Sequence, residues 1–294
     1  MIDIPFGGWR KIVGDEFESE FLDLEYLRKK SEHVQPSLRR PSVRKLTTPD
    51  GRQYKLLYVP SGNARIREML RIIKPIQGEA FIPRMLWADD HSLLLEFIEG
   101  DFPKVSSEKF SRDLGEVMAR LHQYRFSPIS KIRYRLEYRH NLKSLVRHKL
   151  LDVQQARKAR QLYAVLEPPV LQRSLDYFDI ARNNFVYDQQ GALRLIDVGA
   201  FRRNRMMGQF FVGTSHFNEL NTDAFWEAYL ASTQNHYIYQ HLGYLRLFHY
   251  VMKAGQRARS FASSADKTTL EAQRHWQRCT EMKDRLLALL DANS

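Results

Sequence analysis

The stretch LDYFDIARNNFVYDQQGALRLIDVGAF, residues 175–201, carries most of the information about the fold of this chain. Two short apolar runs, NFVYD and LRLID, are separated by a glycine-containing turn and predict a β-hairpin. Asp179 and Asn184 stand before or at its start, and Asp197 stands at its end. Because a hairpin reverses the chain and returns it to its starting edge, we expect Asn184 and Asp197 to share one end.

The chemistry of these three side chains suits a divalent cation and a proton acceptor. Carboxylate and amide oxygens are hard ligands, and Mg²⁺ takes one or two carboxylates together with substrate phosphates. Phosphoryl transfer needs such a cation and a base near the accepting hydroxyl. The same residues also fit ordinary loop and helix-capping positions. The residues alone leave both interpretations open.

The N-terminal part of the chain is predicted to be β-rich with little helix. Residues 15–30 carry apolar residues at helical spacing and predict a short amphipathic helix. Residues 36–60 predict a hairpin around a Pro-Asp-Gly turn, residues 63–73 predict a helix, and residues 81–97 predict a second hairpin. We therefore expect residues 1–97 to form an N-terminal lobe with an antiparallel sheet.

The remainder of the chain, residues 98–294, is predicted to be mainly helical around the 175–201 hairpin. A helix is expected after Ser106 or Ser107, further helix over 135–166, and helices again over 221–291. The last of these is expected to begin with a capping box that starts at Thr268. The fold class predicted from this layout is α+β.

Composition indicates a globular protein with anionic partners. Of the 294 residues, 43% are hydrophobic and 27% charged, which excludes the composition of a disordered chain. The formal net charge is +12, and such a charge favours nucleotides, nucleic acids, anionic lipids or phosphorylated sugars. The single cysteine, Cys279, excludes an intrachain disulfide and a cysteine-rich zinc site.

We expect a cytoplasmic protein that is peripheral to the membrane at most. No stretch approaches the roughly 18 apolar residues that cross a bilayer, and the N-terminal residues lack the pattern of a signal peptide. Basic surfaces can still contact an acidic membrane without a spanning segment. The basic and aromatic stretch at 131–149 fits such a surface, a nucleic-acid surface, or simply the exposed side of a helix.

The pattern D-x4-N followed by D-x-G, formed by Asp179, Asn184, Asp197 and Gly199, resembles the protein-kinase-like superfamily. The surrounding strand-turn-strand is most similar to aminoglycoside phosphotransferases, choline-type kinases and lipopolysaccharide core sugar kinases. The resemblance implies a bilobal fold with Mg²⁺ and ATP as cofactors. It also implies that Asp179 is the catalytic base and that Asn184 and Asp197 are metal ligands.

The same resemblance implies a nucleotide site in the N-terminal lobe. The segment SLLLEFIEG resembles the last strand and hinge of these kinases, where an adenine docks on backbone groups of Glu96 and Ile98. Lys55 is the implied phosphate-binding lysine, with Lys45 on the preceding strand as the alternative. Glu68, in the predicted helix 63–73, is its implied partner.

Several positions depart from the family pattern. Tyr177 and Phe178 stand where many members have a histidine motif, and Ala181 stands where a Lys or His often assists transfer. No glycine-rich loop precedes the first hairpin. The missing loop points away from an ordinary protein kinase and leaves room for a non-catalytic pseudokinase scaffold. A protein Ser/Thr kinase stays open as a further alternative to a small-molecule kinase.

The acceptor is predicted to be a small-molecule, saccharide or lipopolysaccharide core hydroxyl. The basic run Arg202, Arg203 and Arg205 follows the hairpin and fits either a solvated face or the border of a site for an anionic acceptor. No specific nucleic-acid partner is predicted.

Overall fold

The computed structural model describes residues 8–22, 42–59, 63–203, 205–209, 211–214 and 216–293. The chain forms two compact units. The first comprises Met1–Lys104 with Ala181–Phe201, and the second comprises Val105–Ile180 with Arg202–Ser294. The hairpin that follows Asn184 thus belongs to the first unit, whereas the boundary predicted at residue 97 assigned it to the C-terminal part.

The first unit begins with α1 (Arg10–Val13), β1 (Glu18–Phe21), β2 (Ser42–Thr47), β3 (Gln53–Tyr58), α2 (Asn63–Ile73), a 3₁₀ turn (Lys74–Ile76), β4 (Met85–Ala88) and β5 (Ser92–Glu96). The five strands form one antiparallel sheet with the order β1-β2-β3-β5-β4. Both predicted hairpins are confirmed, since β2 pairs with β3 and β4 pairs with β5.

The turn between β2 and β3 forms where the Pro-Asp-Gly signal predicts it. Gly51 has φ +81°, a backbone conformation that side chains other than glycine's rarely adopt. The Thr48 hydroxyl and the Arg52 guanidinium donate hydrogen bonds to the Asp50 carboxylate. These contacts fix the register that places Lys55 directly opposite Lys45.

The helix predicted over residues 15–30 is wrong in its described part. Residues 18–21 form β1, which pairs antiparallel with β2, from Glu18 opposite Thr47 to Phe21 opposite Arg44. Backbone pairing with the sheet outweighs the local helical pattern, and the exposed charges of Glu18 and Glu20 suit an edge strand. The rest of the predicted helix, from residue 23, lies outside the described residues.

Helix α2 confirms the helix predicted over residues 63–73. It buries one stripe, Ile66, Met69, Ile72 and Ile73, and leaves the opposite side exposed.

The β-hairpin of the opening stretch is formed by β9 (Phe185–Tyr187) and β10 (Leu193–Leu195), as predicted. A 3₁₀ turn (Arg182–Asn184) precedes it and another (Val198–Ala200) follows. The Leu195 amide donates to Phe81 O at 2.7 Å, and the Arg194 guanidinium donates to Ile82 O at 3.3 Å. These bonds attach the hairpin to the chain just before β4.

The second unit is mainly helical. Its elements are α3 (Glu108–Leu121), β6 (Arg125–Ile129), α4 (Lys131–Arg147), α5 (Val153–Leu166), β7 (Leu171–Ser174), β8 (Asp176–Tyr177), a 3₁₀ turn (His216–Glu219), α6 (Thr222–Ala231), α7 (Tyr237–Gln240), α8 (Leu242–Ser263) and α9 (Leu270–Asp291). The short strand β11 (Phe201–Arg202) lies at the boundary between the units.

Helix ends in the second unit follow side-chain caps. The Ser107 hydroxyl accepts from the Phe110 amide, as predicted, and Asp152 forms a capping box with Gln155 that separates α4 from α5. The last helix is capped by Thr269, which accepts from the Ala272 amide, one residue later than the predicted cap at Thr268.

No helix in the described part of the chain is long and apolar enough to cross a membrane.

Candidate active site

Asn184 and Asp197 lie at the same end of the β9–β10 hairpin. The Ile196 amide donates a hydrogen bond to Asn184 O at 2.9 Å, which closes the hairpin directly beside both residues. Asn184 is buried, and Asp197 is half-buried. Asp197 Oδ1 also accepts from the Gly199 amide at 2.9 Å, which orients the carboxylate at the start of the following 3₁₀ turn. The pairing of strands thus brings an amide and a carboxylate to one place.

Lys55 joins this end of the hairpin from strand β3. Its Nζ donates a hydrogen bond to Ile196 O at 2.6 Å, next to Asp197. The side chain keeps some exposed surface, but its ammonium end is surrounded by protein. This burial lowers the pKa of Lys55, and the carboxylate of Asp197 opposes the shift by favouring the charged form. The result is a cation held beside a carboxylate in a partly enclosed site.

Lys45, the alternative lysine, makes different contacts. Its Nζ lies 3.7 Å from Glu99 Oε1 and 4.6 Å from the centre of the Phe97 ring. Both lysines occupy the same face of the sheet, because residues directly opposite each other on paired strands share a face. Of the two, Lys55 is the lysine whose Nζ bonds to the Ile196 carbonyl next to Asp197.

Glu68 is not the partner of Lys55 in the structure. No hydrogen bond or ion pair joins these two described residues, and the Glu68 side chain is exposed. The physical reason is the orientation of α2, which is set by burial of Ile66 and Met69 and turns Glu68 to the opposite side. The Lys55 ammonium instead donates its hydrogen bond to a backbone carbonyl, Ile196 O.

Residues 96–100, at the end of β5 and just after it, are the predicted hinge segment. Glu96 ends β5, and its carboxylate accepts from the Arg84 amide at 3.2 Å. The backbone of Ile98 forms no hydrogen bond with any described residue, so its amide and carbonyl are available to a ligand. A cleft of about 340 Å³ opens at Glu96 and Ile98 and is bordered by Gln53 and Asp188.

This segment is attached to the hairpin by close backbone contact. The Asp101 amide donates to Tyr187 O at 3.0 Å, and the Tyr187 amide donates to Asp101 O at 2.8 Å. A Cβ added at Gly100 would lie 2.0 Å from Tyr187 O, so only glycine allows this approach. The predicted hinge segment and the β9–β10 hairpin are therefore held together within the first unit.

Asp179 belongs to the second unit, where it follows β8 in a loop and is half-buried. Its neighbour Phe178 is covered by the guanidinium of Arg202, at 4.2 Å from the ring centre. The chain crosses from the second unit to the first between Ile180 and Ala181, two residues after Asp179.

A buried polar network before Asp179 was missed from the sequence. His122, at the end of α3, lies with Nδ1 3.1 Å from Tyr229 Oη and with Nε2 3.5 Å from Asp176 Oδ1. Asp176 Oδ1 also accepts from the Tyr177 amide at 2.9 Å. The sequence signal was an aspartate within the apolar run LDYF, where an unpartnered carboxylate would be costly.

Comparisons with known proteins find structural similarity only. No family model and no curated protein matches this chain. A spectinomycin phosphotransferase solved with ADP and spectinomycin has a TM-score of 0.61 at 13% identity, over 95% of this chain and 96% of its own. A choline kinase from Cryptosporidium parvum has a TM-score of 0.59 at 13% identity, and the match covers 97% of this chain and 93% of the choline kinase. An ethanolamine kinase from Plasmodium vivax has a TM-score of 0.56 at 12% identity, and the match covers 93% of this chain and 84% of the ethanolamine kinase.

The chain has the protein-kinase-like fold. The predicted α+β class and the predicted kinase-like fold are both confirmed, because near-complete coverage of both chains accompanies the similarity.

In this kinase-like fold, the donor set at the hairpin fits a hard divalent cation. Asn184 and Asp197 carry an amide and a carboxylate oxygen at one end of the hairpin, and Mg²⁺ commonly takes one or two protein oxygens and completes its shell with phosphates and waters. Among the described residues, no group of three or more His, Cys, Asp or Glu side chains is gathered into a fuller cation site. A cation here would therefore depend on phosphate oxygens for part of its shell.

Proposed function

We propose that this chain is an ATP-dependent phosphotransferase that acts on a hydroxyl group of a small molecule. The observation that carries the proposal is the set formed by Lys55, Asn184 and Asp197 around Ile196. The Ile196 carbonyl accepts from Lys55 Nζ, the Ile196 amide donates to Asn184 O, and Asp197 is the next residue in the chain. A cation, an amide and a carboxylate so close together suit a metal-bound polyphosphate. The similar structures named as phosphotransferases and kinases support the same reaction class.

Each residue has a proposed role in the transfer. Asp179 orients the acceptor hydroxyl and takes its proton, Lys55 contacts the phosphates, and Glu96 and Ile98 hold the adenine by backbone groups. Asn184 and Asp197 hold Mg²⁺, which neutralises charge on the phosphates when bound. Positioning and charge neutralisation supply most of the rate in such reactions.

The proposed acceptor is a saccharide or lipopolysaccharide core hydroxyl, with an anionic acceptor favoured by charge. The formal net charge of +12 raises the local concentration of anionic molecules. The same charge supports the further proposal of a cytoplasmic protein that contacts an acidic membrane face at its periphery.

A pseudokinase scaffold is the second candidate, and one observation favours it. Glu68 is exposed and forms no pair with Lys55, so the lysine lacks the carboxylate partner that active kinases of the resembled superfamily use. Under this alternative the chain keeps nucleotide binding and lacks turnover.

Nucleotide binding and turnover separate the two candidates. Thermal unfolding is measured with ATP, with and without Mg²⁺, and ATP consumption is then measured across sugars, lipopolysaccharide core fragments and aminoglycosides. Acceptor-dependent consumption that Asp179→Asn removes supports the phosphotransferase. Stabilisation without consumption supports the scaffold. Transfer of labelled γ-phosphate to proteins but not to small molecules would overturn the proposed acceptor class and favour a protein Ser/Thr kinase.

A further inference from the structure

Helix α4 of the second unit has one buried side and one side exposed to solvent. The buried side carries Tyr134 and Tyr138, and the rings of Tyr134 and Phe248 on α8 lie 5.0 Å apart. These apolar contacts fix how the helix is rotated and therefore which residues face outward. No residue of α4 belongs to the proposed catalytic or nucleotide-binding set, so the transfer reaction leaves its outer side unexplained.

The outer side of α4 is a single stripe of residues, which we call the α4 outer stripe: Ile132, Leu136, Arg139, Lys143 and Arg147. Successive members are three or four residues apart in the sequence, so their side chains follow one another along the same face of the helix. All five are exposed, with Ile132 at 69% and Leu136 at 60%. With a rise of about 1.5 Å per residue, the stripe is roughly 22 Å long.

The α4 outer stripe carries positive charge that no carboxylate of the described residues neutralises. It contains no acidic residue, and none of its three cations forms an ion pair or a side-chain hydrogen bond with any residue that the structure describes. The nearby carboxylates pair with cations outside the stripe. Glu167 accepts from Arg135, and Glu137 lies 3.7 Å from Arg205. The stripe thus presents two aliphatic side chains and three unpaired cations to solvent.

Aliphatic and cationic side chains on one exposed helix face match an anionic lipid surface. Near such a surface each Lys or Arg strengthens binding by about fivefold. Aliphatic side chains on the same face leave water when they enter the boundary between headgroups and acyl chains. A nucleic acid engages the cations through its phosphates but offers the aliphatic side chains no comparable burial. The composition of the stripe therefore favours a bilayer over a nucleic acid.

We propose that the α4 outer stripe is the surface by which this chain contacts an anionic bilayer. Ile132 and Leu136 enter the headgroup boundary, and the three cations contact lipid phosphates. This inference rests on the proposed peripheral location at an acidic membrane face and adds the residues that make the contact. Because the stripe lies within one helix of the second unit, the contact can be tested apart from the nucleotide site.

The first test removes charge from the stripe. Co-sedimentation measures binding to vesicles of phosphatidylglycerol mixed with phosphatidylcholine and to vesicles of phosphatidylcholine alone, and we expect wild type to bind the mixed vesicles only. Arg139→Gln combined with Lys143→Gln should weaken this binding at least about tenfold. The control, Arg274→Gln combined with Arg278→Gln, removes two exposed cations at the same spacing from α9 and should change binding less than about threefold.

The second test removes an aliphatic side chain from the stripe. Leu136 and Leu270 are both 60% exposed, but Leu270 lies at the start of α9 and outside the stripe. Leu136→Ser should weaken binding to the mixed vesicles about fivefold, and Leu270→Ser should leave it unchanged. Thermal unfolding of every variant checks that it is folded.

The outcomes separate this inference from the proposed phosphotransferase. Vesicle binding that the stripe variants weaken, without any effect of ATP on thermal unfolding, supports the membrane contact and contradicts the phosphotransferase. Acceptor-dependent ATP consumption by a wild type that does not bind the mixed vesicles overturns the membrane contact and keeps the phosphotransferase. Equal binding to both kinds of vesicle, or equal losses in the stripe variants and their controls, overturns the inference. Tighter binding to a DNA duplex than to the mixed vesicles, weakened by the charge variant but not by Leu136→Ser, overturns it in favour of a nucleic-acid surface.

Discussion

Lys45 and Lys55 stand opposite each other on paired strands, yet only Lys55 bonds to the backbone beside Asp197. We predict that Lys55→Met removes the stabilisation by Mg-ATP, which reaches about 2.7 kcal/mol when ligand is at a hundred times Kd. Lys45→Met is the matched control and should keep most of it. Differential scanning fluorimetry measures both, and a reversed result would transfer the phosphate role to Lys45.

Lys253 gives a second prediction, on stability and pH. Its pKa is about 8 in the folded chain against 10.5 ordinarily, so the unfolded chain binds more protons between these values and the stability of the folded chain rises with pH there. Compared with wild type, Lys253→Met should therefore be more stable below pH 8, and the difference should vanish as pH approaches 10.5. After allowance for solvent screening, we expect a melting temperature about 2–4 °C higher at pH 7. A difference that grows toward pH 10 would contradict the assignment.

Among the elements, the contact between the hinge segment and β9 depends on Gly100. In Gly100→Ala the new Cβ would lie 2.0 Å from Tyr187 O, and the two backbone bonds between Asp101 and Tyr187 would be strained. We predict a loss of about 1–3 kcal/mol in unfolding free energy, the usual cost of overpacking, together with weaker ATP binding. Gly78→Ala is the control, because nothing lies within 4 Å of its added Cβ. Chemical denaturation measures both variants.

For the whole molecule, the net charge of +12 predicts weak, non-specific association with nucleic acid. Because such association releases counterions, it should fall steeply between about 50 and 200 mM salt. Stabilisation by Mg-ATP should change much less, since it depends on a partly enclosed site. Fluorescence anisotropy with a DNA duplex, alongside thermal unfolding with ATP, compares the two. Tight DNA binding at the higher salt without any effect of ATP would favour a nucleic-acid-binding protein.

Much of the fold could be predicted because its signals are local. The Pro-Asp-Gly turn, the apolar stripe of α2 and the Ser107 cap each lie within a few residues of the element that they define. The prediction for residues 15–30 was wrong at 18–21 because β1 is stabilised by pairing with β2, more than twenty residues away in sequence. A window of local periodicity contains no information about such a partner.

The sequence by itself determined the hairpin of residues 185–195 and the convergence of Asn184 and Asp197 at one end of it, because strand reversal requires both. Only the tertiary structure decided that Lys55 bonds to Ile196 O, that Glu68 faces away, and that arginines from three separate segments help to lower the pKa of Lys253. The physical reason is that burial of apolar stripes sets how each helix is rotated and where it packs. The polar side chains on that helix then meet whichever groups this packing brings to them.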